Sequence, residues 1–210
     1  MGRRPPLPGD RIGRADGDRA AQPAFARLER LSVGRAGPAF VGAWALAEAI
    51  ALPIIPDVAL GLLTLVVPRR WLILFAGTVA GSLIGTALLY ELAVAAPDAA
   101  ANLLLTIPGI HPPMLDGARE LVASGNPLSI ATFGPGTPLK VFTVAWATGP
   151  GTPLAIAAGV VANRVTRIGP GLVLVTVLGS IAPDFLRRHD RLVLSLYAAF
   201  YLAVYALYLR

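Results

Sequence analysis

The sequence predicts an all-α integral membrane protein whose multipass helices include two re-entrant or broken-helix segments in an inverted-repeat arrangement. Three observations lead there. Of its 210 residues, 55% are apolar and only 14% are charged, a balance suited to lipid rather than water as the solvent. Long apolar runs recur, residues 71–96 and 192–209 among them, each able to cross a hydrocarbon core of about 30 Å. Two more apolar regions, 38–67 and 127–163, are broken by proline and glycine. In hydrocarbon, broken backbone survives only where protein or a water-filled cavity covers it.

The first broken region reads PAFVGAWALAEAIALPIIPDVALGLLTLVV and carries Glu48, Pro53, Pro56 and Asp57 near its middle. Proline removes a backbone donor and clashes with the preceding turn, so Pro53 and Pro56 should interrupt the helix between Leu52 and Asp57. A carboxylate at mid-membrane costs about 2.5 kcal/mol or more, so two of them need a reason. In an unbroken helix Glu48 and Asp57 would point in opposite directions at about 100° per residue. A turn at the prolines lets both converge on one point. The expectation is a re-entrant hairpin with two carboxylates at its tip; a kinked helix with Glu48 hydrogen-bonded to a neighbour is the plainer alternative.

Charge divides the rest. The net charge is +6, almost all of it arginine, gathered near the start and in short loops. That pattern suits anionic headgroups and the positive-inside rule, and not nucleic acid. Residues 1–23 are too polar to pack a core and should form a disordered basic cytoplasmic tail; the polar run is also too long for a cleavable signal peptide. In 24–35, Phe25, Leu28 and Leu31 recur at helical spacing with Arg27 and Arg30 elsewhere, as in an amphipathic interfacial helix or a lead-in to the first span. Residues 36–210 are the membrane domain. With no cysteine, and His111 and His189 far apart, neither a disulfide framework nor a metal site is expected, and no cofactor.

After Pro68, Arg69 and Arg70, the helix 71–96 carries Gly77, Gly81 and Gly85 at spacing four, which permits close packing within the chain or in a homo-oligomer. Glu91, near its far end, should snorkel at the interface, with a role in a polar path as the lesser reading. The loop 97–126 holds few arginines, a short surface helix over 114–123, and His111 without assigned chemistry. The second broken region repeats a motif: GPGTPL at 134–139 returns at 149–154. Breaks are therefore expected at Pro138, Pro150 and Pro153. Lys140, the one lysine of the chain, follows the first of them. Deep in the membrane it would pair with a carboxylate, and near the surface it would snorkel. Arg164 and Arg167 close the region, followed by a short span at 168–182 and a last span whose tyrosines, Tyr197, Tyr201, Tyr205 and Tyr208, read as packing and interface anchors.

The plan is two halves of inverted topology, each an interrupted segment followed by a complete helix, the sequence pattern of a transport site at the midplane. On it Arg164 and Arg167 fall on the outer side, against the positive-inside trend.

Glu48, the Pro53-Ile54-Ile55-Pro56-Asp57 motif, and the glycine-spaced helix ending in Tyr90 resemble the first half of the DedA family, the SNARE-associated Golgi or VTT domain. Pro153-Leu154 and Ala158-Gly159 resemble the close of its second re-entrant segment, so the likeness covers about 40–179. It implies two facing re-entrant loops and movement of a polyprenyl phosphate carrier or phospholipid between leaflets, coupled to protons, with Glu48 and Asp57 as the membrane acids. The family's arginines near the second segment are not matched: Phe142 or Trp146 stands where one is expected. The similar small multidrug export family is the neighbouring alternative.

The expected function is thus a membrane transporter or flippase for an anionic lipid, with membrane lipids as its surroundings. Glu48 and Asp57 would titrate, and Lys140, with Arg164 and Arg167, would receive the phosphate. A multidrug-type exporter and a non-transporting scaffold are the alternatives. An intramembrane enzyme is not expected, since no nucleophile and base pair is present.

Overall fold

A computed structural model describes residues 24–124, 137–149 and 152–208. The tail 1–23, the first part of the earlier GPGTP motif and Pro150 lie outside those residues. Among the described residues regular structure is entirely helical: α1 (Ala24–Val33), α2 (Ala36–Ile50), α3 (Asp57–Val66), a 3₁₀ turn (Pro68–Arg70), α4 (Trp71–Ala95), α5 (Pro97–Leu105), α6 (Pro112–Ala123), α7 (Leu139–Ala147), α8 (Pro153–Ile181), α9 (Pro183–Arg188) and α10 (Asp190–Tyr208). Proline sets several starts. Pro97, Pro112, Pro153 and Pro183 each occupy the first turn of a helix, where the missing N–H would have had no partner anyway.

Three helices are long and apolar enough to cross a membrane, those containing α4, α8 and α10. Their outward faces carry Leu72, Ile84 and Leu88, then Val173, Leu174 and Val177, then Leu196, Phe200 and Leu202, all exposed. Such surfaces suit hydrocarbon, and they mark a membrane protein. By contrast α2 and α3, at 15 and 10 residues, are too short to cross alone at 1.5 Å per residue.

Chain direction follows from the glycines. A side chain on Gly77 would strike Pro38, one on Gly81 would strike the Gly42 carbonyl, and one on Gly85 would strike Leu46 and Ala49. Numbers rise together on both helices, so α2 and α4 run parallel. The glycine stripe is therefore spent on packing inside the chain. Between two parallel helices α3 has to bring the chain back, and it does. At the start of α4, Arg70 Nη1 donates to the carbonyls of Ser32 (3.0 Å) and Gly34 (3.3 Å), just before α2. The segment 36–66 enters and leaves at one end of the molecule. That end also carries Arg27, Arg69, Arg187 and Arg188, and an exposed Arg187–Glu29 ion pair joins α9 to α1 at 3.3 Å.

Helix α8 runs the other way along α4. Its Arg164 meets Ser82, and Gly179 backs onto Leu65 and Pro68. This corrects the reading of 168–182 as a separate span. Residues 153–181 are one helix of 29 residues, with Pro170 inside it. Within a membrane bundle neighbours can accommodate such a proline, and the flanking Gly169 and Gly171 meet nothing within 4 Å. The arginines did not end the helix because partners inside the protein receive them.

Two apolar cores result. One, at the arginine-rich end, gathers Val41, Leu60, Leu63, Leu74, Ile168 and Leu172. The other gathers Leu89, Leu104, Leu115, Val122, Phe142, Trp146 and Val160 around α5, α6 and α7. A buried polar layer separates them.

Candidate functional site

The polar layer begins at the break after α2. In a continuing helix the Leu52 carbonyl would accept from the amide of residue 56, but residue 56 is proline and has none. Lys140 supplies the donor instead: its Nζ lies 2.7 Å from the Leu52 carbonyl. Other freed groups of the break also find side chains. The Ile54 carbonyl accepts from Trp44 Nε1 at 3.0 Å, and the Ile55 amide donates to Tyr205 Oη at 2.6 Å. Tyr197 Oη donates to the Val58 carbonyl at 2.9 Å as α3 begins. Broken backbone inside an apolar protein requires this accounting, and here it is met from α2, α7 and α10.

Glu48 is the centre of the layer. Its Oε2 accepts from Arg164 Nη2, and its Oε1 lies 3.9 Å from Lys140 Nζ. Arg164 Nε donates to Ser82 Oγ at 2.8 Å. Relative exposures of 3% for Glu48, 2% for Lys140 and 5% for Arg164 put all three charges out of solvent, where each is tolerable only because the others are present. Lys140 therefore pairs with a carboxylate and does not snorkel.

Around this cluster is a cavity of about 480 Å³, lined by Glu48, Asp57, Lys140, Arg164 and Arg167 with Pro53, Pro138, Ile168 and Tyr205. Its size falls in the range of small-molecule and headgroup sites. Arg167 reaches across it, with Nη1 donating to the Thr137 carbonyl at 3.0 Å. Among the described residues no carboxylate lies within ion-pair distance of Arg167. Its guanidinium keeps donors available to whatever enters.

The structure thus brings together Glu48, Asp57, Lys140, Arg164 and Arg167, with Pro53 and Pro138 in the wall. Pro56 caps α3. Pro153 lies elsewhere, at the start of α8, while Gly77, Gly81 and Gly85 serve packing alone. Arg164 and Arg167 lie along α8, one buried against Glu48 and one lining the cavity. Phe142 and Trp146 pack in the core. Sequence reasoning missed Ser82 and the roles of Tyr197 and Tyr205. Ser82 was visible as the hydroxyl beside Gly81, and the tyrosines as a stripe at helical spacing on one face of α10. Among the described residues no group of three or more His, Cys, Asp or Glu could hold a metal ion. Compared with known proteins, the chain matches no family model, no curated protein and no solved structure.

Proposed function

We propose that the protein is a transporter or flippase that moves an anionic lipid, of the polyprenyl phosphate or phospholipid class, across the bilayer and couples that movement to protons. The observation that carries this reading is the charge balance of the cavity. Lys140, Arg164 and Arg167 face Glu48 and Asp57, so the cations outnumber the carboxylates, and Arg167 has no carboxylate within ion-pair distance among the described residues. Such a site favours a phosphate over the cationic substrates of a multidrug exporter.

Coupling follows from shared partners. While Glu48 is ionised it holds Arg164 and Lys140. Protonating it releases both cations, and a phosphate that enters takes them in its place. Proton and anion then bind together and leave together, because a buried site with unpaired cations and no anion is unfavourable. Asp57, across the cavity, is the second proton carrier.

The chain directions support two facing re-entrant segments. One is 36–66. In the other, Gly149 backs onto Val122 and Lys140 reaches Leu52. Two inverted hairpins meeting at a midplane site are the architecture of many carriers. The DedA resemblance points the same way. The positive-inside rule supports a cytoplasmic arginine-rich end, in keeping with a plasma or inner membrane protein whose N-terminus is inside.

The test is transbilayer movement of a fluorescent polyprenyl phosphate in proteoliposomes under a pH gradient, native protein against Glu48→Gln. Movement that follows the gradient and is lost in a folded variant is the expected result. No movement above empty vesicles by folded native protein would remove this substrate class and leave a multidrug-type exporter or a scaffold.

A further inference from the structure

Apart from the cavity, the fold holds a second feature that transport of the anion does not use. Helix α4 and the first turns of α8 enclose a cleft of about 140 Å³, lined by Thr86, Tyr90, Glu91, Ile156 and Val160 among others. It lies toward the end of the molecule away from the arginines. Thr86 is 2% exposed, and its Oγ1 has no hydrogen-bond partner among the described residues. One turn back along α4 is Ser82, which holds Arg164. On the facing helix, between Val160 in the cleft wall and Arg164, stands Asn163, 1% exposed, and its Oδ1 is likewise without a partner.

A buried hydroxyl or amide oxygen left unpaired costs about 1 to 3 kcal/mol, so each asks for an explanation. The cleft has room for several water molecules at about 30 Å³ each, and Thr86, Tyr90 and Glu91 are the polar groups of its otherwise apolar wall. Glu91 stands exposed in the cleft wall and makes no ion pair among the described residues.

We propose that the seam between α4 and α8 is the proton entry path of the carrier, running from Glu91 past Thr86 and Asn163 to Glu48. It rests on the proton-coupled reading above and adds a route to it. Protonated Glu91 gives a proton to the nearest water, the chain of waters passes one on, and the last gives one to the Glu48 carboxylate. Glu91 is then reprotonated from solvent, so the net step moves one proton from that solvent to Glu48. The groups facing Glu48 during this step are Arg164 of α8 and Lys140 of α7, with Asp57 and Arg167 across the cavity.

The experiment uses the full chain in proteoliposomes with fluorescent polyprenyl phosphate and an entrapped pH dye, comparing native protein with Glu91→Gln, Thr86→Val and Thr86→Ser. Two rates are read: movement driven by a pH gradient, and exchange without one. In Glu91→Gln and Thr86→Val gradient-driven movement and its dye signal should fall by about tenfold or more, while gradient-free exchange persists. Thr86→Ser, which keeps the hydroxyl, should behave as native. Gradient-driven movement intact in both variants would overturn the path and leave the carrier. Loss of both rates in folded variants would also overturn it, assigning the cleft to substrate handling. If the native protein moves no lipid, the carrier reading falls and the path with it.

Discussion

Glu48 and Arg164, separated by 116 residues in sequence, meet as a buried carboxylate and guanidinium between the two apolar cores. The pair ties the first broken segment to the longest helix. Removing Glu48 leaves two buried cations, Arg164 and Lys140, without a carboxylate, at a cost of about 3 to 5 kcal/mol, whereas removing Arg164 leaves Glu48 with Lys140. Glu48→Gln should therefore lower the melting temperature in detergent sharply. The double variant with Arg164→Gln, which leaves one unpaired cation in place of two, should recover part of the loss, with a coupling of about 1 to 3 kcal/mol in the cycle. Simple additivity of the two losses would show that the pair does not hold the fold together.

The glycine stripe gives a second prediction, about packing alone. At Gly81 an added methyl would fall on the Gly42 carbonyl, which is backbone and cannot turn away. Gly81→Ala should destabilise by about 1 to 3 kcal/mol or more, as overpacking does. Gly171, inside α8 with open space around it, is the control. There the same change should be neutral or should stabilise by up to about 1 kcal/mol, since glycine is a poor helix former. Equal effects at both sites would contradict the close approach of α2 and α4.

These contrasts show what was legible in the sequence. The break at Pro53 and Pro56 was readable because proline acts locally, and the carboxylates flanking it because charge in an apolar run is conspicuous. The two halves of the site could not be joined by local rules. Arg164 and Arg167 look like a loop when the helix around them is read as ending, and only a partner from another element, Glu48 or the Thr137 carbonyl, makes a continuous helix tolerable. The depth of Lys140 was open for the same reason: what fixes it is a carbonyl at Leu52 that Pro56 leaves unpaired. Tyrosine on a lipid-facing helix reads as an anchor until the broken backbone it serves is in view.

That backbone gives the third prediction. Tyr205 Oη is the acceptor for the Ile55 amide across 150 residues, and α10 otherwise presents mostly exposed side chains. Tyr205→Phe keeps the ring and removes the acceptor, leaving a half-buried amide unpaired at a cost of about 1 to 3 kcal/mol. Hydrogen exchange at Ile55 should quicken by about five- to 150-fold, as that range of free energy dictates. Exchange in the middle of α4 should be unchanged. Unchanged exchange at Ile55 would mean that another group holds the break.

Arg164 and Arg167 lie one turn apart on α8 and should respond oppositely to the same substitution. Arg164 is buried and committed to Glu48 and Ser82, so its loss is first a loss of stability. Arg167 is exposed and spends one nitrogen on the Thr137 carbonyl, so Arg167→Gln should change stability by less than about 1 kcal/mol. A hydrogen bond to a charged group is worth about 1.5 to 3 kcal/mol, so binding of a fluorescent polyprenyl phosphate in detergent should weaken by about ten- to 150-fold. The measurement pairs that titration with a melting curve on the same sample. Weakened binding at unchanged melting assigns Arg167 to the anion; lowered melting at unchanged binding would make it only a clamp on the second broken segment and remove the free cation from the charge argument.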